Sequence, residues 1–316
     1  MRKLVNQFSW SVSRDRLFRS CRRAYYYNYY GSWGGWESDA DPRVRQLYIL
    51  KQMTSLEMWS GSIVHDVIAE ALHRYALKGA VIRTGELQAR AREKLRAGWR
   101  DAVNRAWQTS PKKTNLFRLY YGNGRTLPPQ QTERTKTRVY NCLEAFALSD
   151  VLTDITSVSH LNWHPVDTLD SFAMDGLKIW CAIDFAYQDP TGKTRILDWK
   201  TGGEDEEALR LQLACYAFYV NDVWHVPPEQ QRLMGVFLRE QARISEYDLP
   251  PEAMLEARQT IVDSAAEMRS CLVDVPNNTA REEDFPLAAS DRPCRRCSYR
   301  GACPKIDEPA IDRNAL

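Results

Sequence analysis

The stretch that most constrains this chain lies at 177–199, where two apolar runs flank a five-residue polar turn. Residues 177–188 and 194–199 read as strands, and Asp189-Pro190-Thr191-Gly192-Lys193 is turn chemistry. A hairpin centred on Thr191 sets Asp184 opposite Asp198. Like charges directly opposed in a sheet repel. Side chains alternate along a strand, so Asp198 and Lys200 share one face and Leu197 and Trp199 the other.

Around this hairpin the pattern turns helical. Residues 61–78 place Ile63, Val64, Val67, Ile68, Ala71, Leu72 and Tyr75 at helical spacing, with Gly79 as the stop. Residues 11–30 read as a helix crowded with Arg and Tyr. Segments 86–108, 132–148, 204–220 and 251–272 are also helical. Residues 31–42 and 110–131, the latter holding Pro111, Gly122, Gly124, Pro128 and Pro129, read as loops. From about residue 151 strands take over, with a buried one at 231–238. The expected fold is α/β, a mixed central sheet flanked by helices with a helical insertion. Four segments follow: a basic, aromatic 1–50; a mainly helical 51–150; a core at 151–285; and a cysteine-rich tail at 286–316.

No apolar run approaches the roughly 20 residues needed to cross a bilayer, so no membrane association is expected. The opening Met1-Arg2-Lys3-Leu4-Val5-Asn6-Gln7 lacks an apolar signal core, which predicts a cytoplasmic protein. Net charge is +2 over 316 residues, but the signs are sorted. Residues 1–51 hold ten Lys/Arg against four Asp/Glu, and 86–140 thirteen against four. Residues 141–240 reverse this, seven against sixteen, and 241–291 hold four against eleven. Basic blocks suit a polyanion and acidic ones a cation or a partner; a dipolar solvated surface is the plainer reading.

Asp184, Asp198 and Lys200 carry the chemistry. A cation between the carboxylates would turn their repulsion into ligation, and hard oxygen donors suit Mg²⁺ or Mn²⁺. The alternative is a pair of solvated edge carboxylates, although Asp184 interrupts an apolar run. Gln212 and Tyr216, four apart, project from one helical face and could orient a phosphate or an attacking water; a polar stripe explains them equally well. His65 falls early in an apolar helix, where a lone His is more often a satisfied core residue. His73, His160, His164 and His225 take that plain reading. Cys142, Cys181, Cys215 and Cys271 read as small buried hydrophobes. Cys294, Cys297 and Cys303 form C-x2-C-x5-C, which in a non-secreted chain points to metal.

Five blocks taken in order resemble the PD-(D/E)XK nucleases of the RecB type. Within that superfamily they are most similar to the iron–sulfur members, such as the CRISPR adaptation exonucleases and the AddB nuclease. The blocks are Ser11-x-Ser13 through Cys21-Arg22-Arg23-x-Tyr25, Gly61-x-x-x-His65, Ile183-Asp184, Asp198-Trp199-Lys200-Thr201-Gly202 and Gln212-x-x-x-Tyr216. The C-terminal cysteines then close an iron–sulfur set with Cys21. Arg22 stands where many relatives have Pro, Cys181 where Gly often precedes the Ile-Asp pair, and 86–140 matches no family block.

The resemblance implies a restriction-endonuclease-like core. It implies that His65, Asp184, Asp198 and the Trp199 carbonyl ligate the metal. Lys200 would position or activate the attacking water, with Gln212 and Tyr216 orienting the lysine or the substrate strand. Cys21, Cys294, Cys297 and Cys303 would hold a [4Fe–4S] cluster, although four Cys can also hold structural Zn²⁺. The tail from Asn277 has few apolar residues, so ligation would be its main tie to the N-terminus. The implied activity is a Mg²⁺/Mn²⁺-dependent DNA nuclease in repair, recombination or defence. The action expected is exonucleolytic, and single strands are favoured as substrate because Tyr25, Tyr26, Tyr27, Tyr29, Tyr30, Trp33 and Trp36 lie near basic residues. Core packing is the rival explanation of those rings. The basic 86–140 segment would guide the DNA backbone. A protein partner such as a helicase fits the acidic segments. The alternative is a catalytically silent DNA-binding or scaffolding subunit.

Overall fold

A computed structural model describes residues 4–122, 126–164, 168–203 and 205–306; Met1, Arg2, Lys3 and Gly124 lie outside them. The first expected helix is two, α1 (Val12–Ser20) and α2 (Arg22–Tyr26). They part at Cys21, whose extended φ of −164° ends one helix and caps the next. A wide π-type turn, Tyr27–Gly31, follows. The loop then gives way to α3 (Pro42–Lys51), which starts on Asp41 as its cap and Pro42 in its first turn.

After β1 (Met53–Thr54) comes α4 (Leu56–Lys78), the strongly apolar helix, stopped by Gly79 at φ +62°. Next are α5 (Thr84–Val103), β2 (Asn115–Leu116), α6 (Phe117–Tyr120) and α7 (Pro129–Ala147). Residues 150–157 are not strand but α8 (Asp150–Ser157), capped by the Ser149 hydroxyl. The expected strand at 177–188 is likewise two. β3 (Asp170–Met174) pairs antiparallel with β4 (Leu177–Cys181), and after a break at 182–184 the chain enters β5 (Phe185–Gln188). Then come β6 (Thr194–Lys200), α9 (Glu206–Val223), β7 (Gln231–Phe237), β8 (Arg243–Tyr247), α10 (Pro251–Ser270), β9 (Leu272–Asp274) and β10 (Thr279–Ala280).

The chain divides into two compact units. One comprises residues 56–97 and 128–258 and holds a four-stranded mixed sheet ordered β5-β6-β7-β8. β5 and β6 are antiparallel in the expected register, Phe185 against Leu197 and Gln188 against Thr194. β6 and β7 run parallel, Asp198 beside Gly235 and Lys200 beside Phe237, and α9 is the crossover that parallel pairing requires. On one face Leu197, Trp199 and Val236 pack with Val64, Ile68, Leu143 and Phe146 of α4 and α7. Trp199 is 2 % exposed and meets Phe146 edge to face. On the other face Gly235 leaves room for Leu209 of α9, 3.0 Å from where a Cβ would stand.

The other unit comprises residues 1–55, 98–127 and 259–316. Its core gathers Tyr27, Leu47, Leu50, Met53 and Tyr299, with Phe117, Tyr120 and Tyr121 against them. Phe285 is fully buried among Tyr25, Tyr26 and Tyr30, and Tyr299 is 3 % exposed. The tail therefore docks by aromatic burial, contrary to the expectation from its composition.

Candidate active site

The expected alternation along β6 holds. Trp199 faces α4 and α7, while Asp198 and Lys200 face α9. There the four polar side chains close a ring. Lys200 Nζ donates to Gln212 Oε1 (2.9 Å), Gln212 Nε2 to the Tyr216 hydroxyl (2.7 Å), and that hydroxyl to Asp198 Oδ1 (3.2 Å). The ring shuts through an ion pair, Lys200 Nζ 2.6 Å from Asp198 Oδ2. The i, i+4 spacing of Gln212 and Tyr216 on α9 lets both reach the same strand.

Asp184 lies one residue before β5, just past the end of the ladder. Its Oδ2 accepts the Trp199 N–H at 2.8 Å, and its Oδ1 meets His65 Nδ1 at 2.9 Å. His65 reaches it because α4 comes close to the end of β6. A Cβ on Gly61, one turn before His65, would lie 2.8 Å from Thr201 Oγ1, so any larger residue would have to displace that hydroxyl or the helix. The close contact gives the Gly61-x-x-x-His65 spacing its physical meaning: glycine brings the helix in, and the histidine arrives at the carboxylate.

The charges perturb one another. Burial raises the Asp198 pKa, and the nearby Asp184 carboxylate raises it further, to about 6, against the opposing pull of Lys200. Burial alone would lower the His65 pKa, but the Asp184 charge and hydrogen bond outweigh it and raise it to about 9. Tyr216 is raised by burial and then by Asp198, so it stays a neutral donor. Exposure grades outward, from 1 % at the Asp198 side chain through 17 % at Asp184 to 26 % at Lys200 and 30 % at His65.

Among the described residues no group of three or more His, Cys, Asp or Glu is already set as a metal cage. Instead His65 and Lys200 each neutralise one carboxylate. The donor chemistry nonetheless fits a hard divalent cation. Asp198 Oδ2 is buried with Lys200 Nζ at 2.6 Å as its polar neighbour, and a second carboxylate stands nearby. Trp199 enters the site through its N–H; its carbonyl was the expected ligand.

In the other unit the four thiols of the expected cluster are unbonded. Burial raises Cys297 to about 12, and Cys21, Cys303 and Cys294 each add to the rise, so all four lie near one another. Backbone N–H groups of Ala24 and Tyr299 point at the sulfurs of Cys21 and Cys297, each at 3.4 Å. Among the described residues these thiols are not set as a metal-binding group either.

One sequence expectation fares worse. Tyr25 and Tyr27 are fully buried, so they pack the core and cannot stack on bases. In the basic segment Arg90 is paired with Glu70 and Glu93, Lys94 with Asp66 and Glu70, and Lys113 with Asp101. The plain readings of the lone cysteines hold, since Cys142, Cys181, Cys215 and Cys271 are all buried. His164 stacks on Trp224, a packing role. Sequence reasoning missed Arg138, which donates to the Thr201 carbonyl from α7; it carried no motif signal, only membership of the basic block.

Comparison with known proteins adds the final element. No curated protein matches the chain. The crystal structure of SSO0001 is similar over 56 % of this chain and 77 % of its own, at 20 % identity and a TM-score of 0.26. A sequence profile of the PD-(D/E)XK nuclease superfamily matches residues 9–304. The mixed α/β architecture is the restriction-endonuclease-like one, and the matched span runs through both acidic positions and the strand lysine; the chain belongs to the PD-(D/E)XK nuclease superfamily.

Proposed function

We propose that the chain is a Mg²⁺- or Mn²⁺-dependent deoxyribonuclease whose centre is Asp184, Asp198 and Lys200. The observation that carries this is the buried carboxylate Asp198, which stands beside Asp184 and against Lys200 Nζ at 2.6 Å on the face of β6 that meets α9. Asp184 and Asp198 would hold the ion with His65 and the Trp199 carbonyl; once bound, it polarises a phosphoryl oxygen and lowers the pKa of water. Lys200 neutralises charge growing on the phosphate and holds the attacking water. Gln212 and Tyr216 fix the lysine from α9, and the Tyr216 hydroxyl keeps Asp198 oriented. His65 and the Trp199 N–H orient Asp184.

Single-stranded DNA is the favoured substrate and exonucleolytic action the favoured mode, in a cytoplasmic repair, recombination or defence setting with a protein partner such as a helicase. Of the aromatic residues that motivated this, Trp33 is 37 % exposed and stacks edge to face with Trp36, leaving a base-stacking surface. Cys21, Cys294, Cys297 and Cys303 would hold a [4Fe–4S] cluster as a structural clamp. The RecB-like subtype rests on that set together with Gly61 and His65.

The test is cleavage of end-labelled single and double strands by anaerobically purified protein, with Mg²⁺ or Mn²⁺. Stepwise shortening of single strands, absent in EDTA and in Asp198→Ala, is the expected result. Tight DNA binding with no cleavage under any of these metals would favour the silent scaffolding subunit.

A further inference from the structure

A groove of about 1030 Å³ runs along α7, lined by Gln130, Arg134, Thr137, Arg138, Asn141 and Arg239 among others. Its placement ties it to the candidate site. Lys200 is the register partner of Phe237, so β6 and β7 end side by side. Arg239 lies two residues beyond Phe237, and Arg138 holds the carbonyl of Thr201, the residue after Lys200. Both guanidiniums act on the same buried thiol, Cys142, which places them at one stretch of the wall.

The lining is cationic and unneutralised. Glu133, the carboxylate in the wall, is paired with Lys136 at 2.7 Å. Arg134 and Arg239 are exposed, and among the described residues neither has an ion-pair or hydrogen-bond partner. Most other arginines of this unit are engaged: Arg90 with Glu70, Arg195 with Asp189, Arg210 with Glu206, Arg258 with Asp175. Free guanidiniums interleaved with amide and hydroxyl donors are the groups that hold sugar–phosphate backbones, since they fork onto phosphate oxygens without reading a base. The volume matches the upper end of ligand clefts, roughly 300–1,000 Å³, and so exceeds the need of a lone phosphate.

We propose that this groove holds the phosphodiester backbone of the substrate strand where it passes the ends of β6 and β7, beyond the catalytic residues, with Arg134 and Arg239 as the phosphate contacts. Arg138 is a positioning residue that fixes the groove wall to the catalytic strand through Thr201. The inference rests on the nuclease reading of the neighbouring site. It also moves the DNA contacts away from α5, where the sequence had placed part of them.

The experiment measures binding of a fluorescein-labelled oligothymidylate by anisotropy in EDTA, across a range of salt. The proteins are wild type, Arg134→Gln/Arg239→Gln, Arg134→Lys/Arg239→Lys, and a control, Arg74→Gln/Arg83→Gln, of equal charge loss elsewhere. Each lost single-strand phosphate contact removes about 0.7 from the log–log salt slope, so the groove double Gln variant should drop by about 1.4 and bind roughly 25-fold more weakly near 0.1 M salt. The Lys pair should retain the slope, and the control should change neither quantity. An unchanged slope in the groove Gln variant with a wild-type melting temperature overturns the proposal, as does an equal loss in the control. Wild-type cleavage of the same oligonucleotide with Mn²⁺ is scored separately, so failure of the nuclease reading and failure of the groove are distinguishable.

Discussion

Asp198→Asn should stabilise the metal-free protein while destroying the activity. The folded state lifts the Asp198 pKa from 3.8 to about 6, through burial first and Asp184 second. Each pKa unit is worth about 1.4 kcal/mol, so ionised Asp198 costs at most about 3 kcal/mol at neutral pH. The side chain is 1 % exposed, so solvent relieves little of this. Asparagine keeps the shape without the charge; the Lys200 attraction is already contained in that shift, so the expected gain is about 1–2 kcal/mol, below the ceiling. That is roughly 2–8 °C in melting temperature. The sign has a pH signature. A raised folded pKa means stability is greatest below the unfolded value and is lost as pH climbs through the folded one. The two proteins should therefore melt together near pH 4 and separate as pH rises through about 6, with the variant higher. Thermal melts in EDTA across that range provide the assay. A variant that melts at or below wild type throughout would refute the charge-strain argument.

Other outcomes follow from the same geometry. Gly61→Ala forces a Cβ to within 2.8 Å of Thr201 Oγ1, so it should cost about 1–3 kcal/mol; Gly61→Ala/Thr201→Ala, which removes the hydroxyl, should recover much of that, and a wild-type melt for the single variant would contradict the close-approach argument. His65, raised to about 9, should stabilise the metal-free fold fully below pH about 6.5 and lose that contribution as pH climbs through about 9. Allowing for the 30 % exposure of the ring, the swing is on the order of 2 kcal/mol, and urea titrations of His65→Gln should lack it. With the proposed cluster in place, anaerobic wild type should be brown, and Cys297→Ala should be colourless and lose several degrees of melting temperature. The tail should stay partly docked through Phe285 and Tyr299, so proteolysis should begin near the cysteines; a colourless variant with wild-type melting would remove the clamp role.

The sequence carried the hairpin register well because a turn of Asp-Pro-Thr-Gly-Lys leaves little freedom, and Phe185 does face Leu197. It also carried the Asp198/Lys200 face and the Gln212/Tyr216 pair, since both depend only on local periodicity. The break at 182–184 was hidden because Ala182 and Ile183 are as apolar as their neighbours, and Asp184 alone does not mark where a strand ends. The chain leaves the β3–β4 pair and joins β6 there, a choice made by tertiary pairing rather than propensity. Cys21 splits α1 from α2 within a run whose helical periodicity is unbroken. Tyr25 and Tyr27 misled in another way. Composition cannot tell an aromatic that stacks on a ligand from one that packs on Phe285 or Tyr299. The Gly61–Thr201 contact and the Arg138 bond to the Thr201 carbonyl join distant parts of the chain, and no local pattern announces either.

The claim at the centre is that Asp184 and Asp198 form a cation-dependent hydrolytic site with Lys200. Mn²⁺ titration calorimetry of wild type and Asp198→Ala tests it most directly, with cleavage of end-labelled single-stranded DNA followed on the same preparations. Wild type should bind Mn²⁺ and cut, and Asp198→Ala should do neither while remaining folded. An Asp198→Ala protein that bound Mn²⁺ with wild-type affinity and cut at the wild-type rate would contradict the account.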